Sequence, residues 1–481
     1  MRRSLFALIA VVAALGGLAV LVPASAVDLP TPNDQLRQLQ RQKEYLTPEY
    51  QAKLAAVSKA NLAEGLRLIA SDPERTFKTD VCWSLVSFCA GDARLYDWES
   101  KGYGIVRPVL FSNRNGANIS GHVWATRSGA AKRPLVVITS GSVQATEQMY
   151  WWAAQSLAKA GFVVLTSDPQ VQGRSDFFGE GEDKLTGLPQ QVRGGTFYAG
   201  AVDEIDFGLS TPDATYCPRL SSTKHSHCAK QVRRVGEGFN NAFNPLWDMI
   251  DRDAKVGLAG HSYGAMGSAW VGQQDPRVGA IVSWDNLCPL RPIPGIALIA
   301  SCQPGFEGPV PEYRTPALGI SNDYGAYFVP HPMIVQKGGH AAASMEISRH
   351  DVDSGQLVIR GGTHFDYDWA PLPALPATLR GVDMAAWYTT AWFDKYLRHD
   401  PTADARLRTT RWLTDARDRA VDPKGGGNVL SNTYLSRMDI GRHGGERFDC
   451  EDLVSVCPGM GPDGAAPDYS FLKAATTPDG S

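Results

Sequence analysis

Ser262 stands between two glycines in 256-VGLAGHSYGAMGSAWVG-272, directly after a short apolar run and before a stretch rich in Ala, Gly and Trp. A strand followed by Gly-x-Ser-x-Gly and a helix makes a tight turn that lifts the serine hydroxyl clear of a sheet, at the positive end of the helix dipole. The glycines two positions either side let strand and helix approach closely. A serine hydroxyl is a poor nucleophile until a base takes its proton, so this chemistry requires a histidine elsewhere in the chain. The stretch 360-RGGTH-364 directly follows the last predicted strand. A histidine on a loop bent by glycines there reaches across the strand ends to a serine from the middle of the sheet. His364 is therefore the candidate base. The other histidines lack this placement: His261 lies inside the turn and reads as packing, and His340 and His350 fall in a polar segment.

The elements that must hold these residues are legible as short apolar runs alternating with helical patterns. The runs are 134-PLVVITS-140, 161-GFVVLTS-167, 255-KVGLAGH-261, 278-VGAIVS-283, 316-PALGIS-321 and 356-QLVIR-360, with helices predicted at Glu147–Ala160 and Val382–Leu397. Strands apolar on both faces and separated by crossovers imply an α/β fold, a mostly parallel central sheet flanked by helices. Ahead of them, 104-GIVRPVLFSNRNGANISGHVWAT-126 reads as a hairpin turning at Asn115-Gly116. The main domain is expected over residues 104–400, with the Gly-, Ser- and charge-rich residues 172–236 as an insertion above the sheet after its fourth strand. Residues 27–103 read as an N-terminal extension, helical from Thr31 to about Asp72 and closed by a cysteine loop. Residues 401–481 read as a C-terminal extension whose final composition predicts disorder.

The first 26 residues combine Arg2 and Arg3, an uncharged run from Ser4 to Val22 and 24-ASA-26, the pattern of a secretory signal; a retained membrane anchor is the alternative reading of that run. No other window approaches a membrane span. The whole chain carries 47 basic and 50 acidic residues, and loss of Arg2 and Arg3 takes the formal charge from −3 to −5. That mildly acidic balance offers nucleic acid or an anionic membrane no electrostatic attraction. The eight cysteines fall in neighbouring couples, Cys82 with Cys89, Cys217 with Cys228, Cys288 with Cys302 and Cys450 with Cys457. In an exported chain such couples predict four local disulfides. A metal reading rests on 225-HSHC-228, which lacks a second ligand pair at zinc spacing. No metal, nucleotide or flavin is expected. Nothing in the sequence specifies an oligomeric state.

Taken together, GHSYG, the run PLVVITS before a glycine-containing turn, and RGGTH resemble the serine hydrolases of the α/β-hydrolase superfamily over roughly Gly104 to Leu397. Within that superfamily the chain is similar to two esterase groups, the platelet-activating-factor acetylhydrolases and the bacterial polyester and cutin hydrolases. The resemblance implies Ser262 as nucleophile, His364 as base and an acid that orients the imidazole. Two residues are candidates for that acid. Asp285, in 281-IVSWDNL-287, lies 23 residues after Ser262 as in the acetylhydrolases, and Asp323, in 316-PALGISNDY-324, lies after the next strand, nearer the place polyester hydrolases use. The interval and the short SNDY loop favour Asp285, with Asp323 as the alternative. The oxyanion donors are expected to be the backbone N–H groups of Tyr263 and Ser142. Many relatives carry His-Gly where this chain has Ser140-Gly141-Ser142. Trp284 is placed either against substrate or in the core.

These expectations describe an exported serine hydrolase that cleaves small-molecule or polymeric carboxylic esters through an acyl-enzyme. The mostly polar residues 172–236 differ from a hydrophobic lipase lid and point to soluble or short-chain esters. The alternatives are a serine peptidase of the same fold, for which the segment before the first strand is too short to make a propeller, and a non-catalytic binding protein on a hydrolase scaffold.

Overall fold

The structure, a computed structural model, describes residues 43–71, 77–80, 89–92, 98–100, 102–142, 145–187, 195–285, 287–291, 302, 309–325, 340–367, 378, 380–413 and 428–461. The leader at 1–26, Cys82 and the terminal residues 462–481 lie outside these, so the expectations attached to them do too.

The described chain opens with helix α1 (Pro48–Ser71) and a small antiparallel pair, β1 (Phe77–Asp80) with β2 (Cys89–Asp92). Within the described part of the predicted helical extension, α1 follows a helical stretch at 43–45 and docks on the main body. Tyr50 and Leu54 pack with Tyr324, and the Tyr50 and Tyr324 hydroxyls lie 2.7 Å apart.

All six quoted apolar runs become neighbours in one sheet. β5 (Leu135–Thr139), β6 (Val163–Ser167), β7 (Val256–His261), β8 (Val278–Trp284), β9 (Ala317–Asn322) and β10 (Ser354–Ile359) pair in parallel in the order β10-β9-β8-β7-β5-β6. Both edges are finished by antiparallel strands. β3 (Ile105–Ser112) and β4 (Asn118–Ala125) form the predicted hairpin beside β6, and β11 (Arg437–Gly441) and β12 (Arg447–Cys450) form a second beside β10. The result is a ten-stranded mixed sheet flanked by helices. No helix among the described residues is long and apolar enough to cross a membrane.

Because side chains alternate across a strand, each central strand feeds two cores. Val136, Ile138 and Val164 face α2 (Trp151–Lys159) and α7 (Gly381–Leu397), where Trp152, Trp387, Trp392 and Phe393 are buried. Leu135, Val137, Val163 and Leu165 face the opposite layer of α3 (Gly195–Gly208), α5 (Tyr263–Gln274) and α6 (His340–Ser348). The connection through α2 carries the chain outward from β5 to β6. The connection through α3 carries it back past β5 to β7. The strand order therefore reverses between β5 and β7, and beyond the carboxyl ends of strands at such a reversal open α/β sheets place their ligand crevice.

Two boundaries differ from those read in the sequence. Part of the supposed insertion, α3, is an integral layer of the fold: Phe197, Tyr198, Ala201, Ile205 and Phe207 are buried against β5 and α5. Its helical stripe is hidden in sequence by Asp203 and Glu204, which also point inward and find partners there. Only the flanking loops and the short α4 (Cys228–Gly236) retain the character of an excursion. The C-terminal segment is likewise no appendage. It contributes α8 (Ala403–Leu407), two sheet strands, and Trp412, Val429, Leu430, Met438 and Ile440 to the core. Three of the expected disulfides are present, Cys217–Cys228, Cys288–Cys302 and Cys450–Cys457.

Candidate functional site

At the end of β7 the chain turns through Ser262 with φ 55° and ψ −120°, a backbone region that residues other than glycine seldom occupy. Close packing imposes it. A Cβ on Gly260 would collide with the Gly264 carbonyl, and one on Gly264 would collide with the Thr139 and Ser140 carbonyls at the end of β5. Strand, helix and the neighbouring turn are thus pressed together. The Ser262 N–H donates to the Trp284 carbonyl at 3.0 Å, and its carbonyl accepts from the Met266 N–H at 3.1 Å. Ser262 itself is half-buried at the crevice.

His364 leaves β10 on a loop held from several sides. Gly361, at φ 67°, takes the left-handed turn that a glycine adopts without strain. The Asp323 carboxylate accepts from the Gly361 N–H at 2.9 Å and from the Ser431 hydroxyl. The Asn322 amide donates to the Thr363 carbonyl at 2.7 Å, and the Tyr324 N–H to the Gly362 carbonyl at 3.0 Å. This leaves the His364 ring facing Asp285: Nδ1 and Oδ2 form a close hydrogen-bonded pair. Asp285 is almost fully buried, whereas about a quarter of the His364 side chain is exposed. Asp285 also sits at positive φ, 52°, with its N–H on the Ile320 carbonyl at 2.7 Å. Of the two candidate acids, then, Asp285 touches the imidazole and Asp323 braces the loop that carries it.

No family model matches the chain, and no curated protein matches it.

The serine and histidine are tied through their neighbours. His261 lies ring to ring with His364, centroids 4.6 Å apart, and its Nε2 is 2.9 Å from the His364 carbonyl oxygen. The pairing with Asp285 fixes the His364 ring through Nδ1. Tyr263 opens α5, where the first N–H groups are not consumed by the helix's own ladder. Ser142 follows the end of β5 in a turn fixed by two bonds to Gly141: its N–H donates to the Tyr150 hydroxyl at 3.1 Å, and its carbonyl accepts from the Gln172 amide at 2.7 Å. Both expected donors thus stand at strand ends bordering the crevice.

Trp284 is not at the cleft. It is fully buried among Tyr150, Trp152 and Tyr367, and its indole N–H donates to the Thr389 hydroxyl at 3.1 Å. A side chain with no exposed surface offers none to a substrate, so its place is the core. The sequence reading also missed the long-range braces: Gln172 on Gly141, Tyr150 beside His261, and Glu204 under the β5 turn. Their partners are distant along the chain, and no local pattern signals them. Among the described residues, no group of three or more His, Cys, Asp or Glu is arranged to hold a metal ion.

Glu204 reaches from α3 to the strand ends. It accepts from the Thr139 hydroxyl at 3.2 Å and from the Ser167 hydroxyl, while the Ser140 hydroxyl donates to the Ser167 carbonyl at 3.1 Å. Burial pushes its carboxyl up from 4.5 to about 7, against the two hydroxyl hydrogen bonds that favour the charged form. A carboxyl with a raised folded pKa holds its proton more tightly when folded. Its penalty is absent below the unfolded value, grows as pH rises toward about 7, and is constant above. At 1.36 kcal/mol per pKa unit that penalty is about 3 kcal/mol. Glu204→Gln is therefore expected to gain about 3 kcal/mol on wild type between about pH 4 and about pH 8, measured by urea unfolding at both. Parallel pH profiles for the two proteins would count against a buried neutral carboxyl.

Proposed function

We propose that this chain is an exported carboxylic ester hydrolase of the α/β-hydrolase type, with Ser262 as nucleophile, His364 as base and Asp285 as the orienting acid. The observation that carries the reading is the pairing of His364 Nδ1 with Asp285, on a loop fastened to the residue next to Ser262, at the strand-order reversal. In this reading, Ser262 Oγ attacks the ester carbonyl as His364 Nε2 takes its proton. The carbonyl oxygen becomes an oxyanion that accepts from the N–H groups of Tyr263 and Ser142. The intermediate collapses when the imidazolium returns the proton to the leaving alcohol. Water, activated by the same imidazole, then attacks the acyl-enzyme and releases the acid. Asp285 stays ionised throughout, holding the ring and stabilising its charge. Three disulfides support an oxidising compartment.

The test is hydrolysis of p-nitrophenyl esters from acetate to palmitate by purified, disulfide-bonded protein, with labelling by a fluorophosphonate probe. Turnover is expected, greatest on the short acyl chains, with the label on Ser262. Folded protein that neither hydrolyses any ester nor takes the probe would overturn the reading.

A further inference from the structure

We infer that Tyr150 and His261 form a positioning chain that sets the oxyanion turn and the base in register, an inference that rests on the functional reading above. The atoms define its direction. A carbonyl oxygen only accepts, so His261 Nε2, 2.9 Å from the His364 carbonyl, carries the ring's proton. In the neutral imidazole Nδ1 is then the acceptor, and the Tyr150 hydroxyl 2.8 Å away must donate to it. The Tyr150 oxygen in turn accepts from the Gly141 N–H at 3.1 Å. One proton arrangement satisfies every bond in the series from Gly141 through Tyr150 and His261 to His364.

The placement of this series gives it a role. Gly141 immediately precedes Ser142, His261 immediately precedes Ser262, and His364 is the base, so one chain touches all three parts of the site through main-chain atoms or adjacent residues. Tyr150 and His261 are 0% and 1% exposed, where a hydrogen bond meets no competition from water. Their rings are wedged by Trp284 and Tyr367, leaving little freedom to tilt. A Cβ on Gly141 would press to 3.0 Å from His261 Nδ1, so the turn already lies against the chain. Neither residue contacts a substrate in this account. They act by fixing the distance between the oxyanion donor and the imidazole, and a displacement of about 1 Å there costs roughly 100-fold in rate.

Three variants test this: Tyr150→Phe, His261→Gln and His261→Leu, each assayed for kcat and KM on a p-nitrophenyl ester with thermal unfolding as a folding control. Tyr150→Phe is expected to lower kcat roughly 10-fold and His261→Leu roughly 100-fold, with KM within about twofold of wild type. The His261→Gln amide can still donate to the His364 carbonyl and should recover roughly half of that loss on a logarithmic scale. The double variant Tyr150→Phe/His261→Leu should be no slower than His261→Leu, because one chain is broken once. A merely structural role would lower the unfolding temperature while leaving kcat per folded molecule unchanged, and that result overturns the inference alone. Multiplying losses in the double variant would overturn it too. A wild-type protein without esterase activity overturns the functional reading and this inference with it.

Discussion

Replacing Ser262 by alanine is expected to lower kcat for ester hydrolysis by roughly 10⁶-fold while leaving KM within a few-fold of wild type. Removing the nucleophile of a serine triad costs about that much, because the remaining base and acid have nothing to activate. Roughly 10³-fold acceleration over water should survive from the oxyanion donors and binding. The variant is clean in this fold. Ser262 adopts φ 55° because Gly260 and Gly264 let β7 and α5 press together, and alanine meets the same backbone demand as serine. Thermal unfolding should therefore stay close to wild type. The measurement is single-turnover and steady-state kinetics on the preferred p-nitrophenyl ester, with fluorophosphonate labelling lost in parallel. An alanine variant that kept a tenth of the activity would move the nucleophile elsewhere.

Asp285→Asn is expected to lower kcat roughly 10⁴-fold at neutral pH. An asparagine can keep the geometry, but its amide donates to His364 Nδ1 and drives the ring proton onto Nε2, the nitrogen that must receive the Ser262 proton. Asp323→Asn should behave differently. Its carboxylate serves the Gly361 N–H and the Ser431 hydroxyl rather than the imidazole. The amide oxygen can still accept from Gly361, while the Ser431 hydroxyl, whose oxygen already accepts from the Thr433 and Tyr434 N–H groups, loses its acceptor. Asn322 and Tyr324 still brace the loop, so kcat should fall less than about 10-fold. Stability should drop by about 1–2 kcal/mol with the lost charge-assisted bond. Measuring both variants on one ester, with denaturant unfolding alongside, separates the roles. A 10⁴-fold loss in Asp323→Asn with Asp285→Asn near wild type would exchange the two assignments.

Legibility in the sequence differs from one element to the next. The buried parallel strands were legible because each is a short run apolar on both faces, and the hairpin because Asn115-Gly116 suits its turn. The tight strand-to-helix turn at Ser262 was legible because its glycines are local to it. Those signals come from the periodicity of neighbouring residues and from backbone sterics, both readable within a dozen positions. The helical stripe of α3 was obscured because Asp203 and Glu204 point inward. Arg114 pairs with the former, and the Thr139 and Ser167 hydroxyls serve the latter, from segments well before the helix. The sheet strands after Pro401 are not legible as such because they are short and gain their place from pairing with β10 and with each other.

Composition and local pattern alone thus determined an α/β chain with a serine on a strained turn and a histidine beyond the last parallel strand; the resemblance to serine hydrolases added two eligible carboxylates. Tertiary structure decided which carboxylate faces the histidine, that Trp284 lies in the core, and that Tyr150 and His261 link the turn after β5 to the loop after β10. Those links join residues 111 and 103 positions apart. A hydrogen bond depends on donor and acceptor meeting in space at the right angle. Only the closure of the sheet and the packing of its helices bring such distant groups together, so no local window of sequence carries that information.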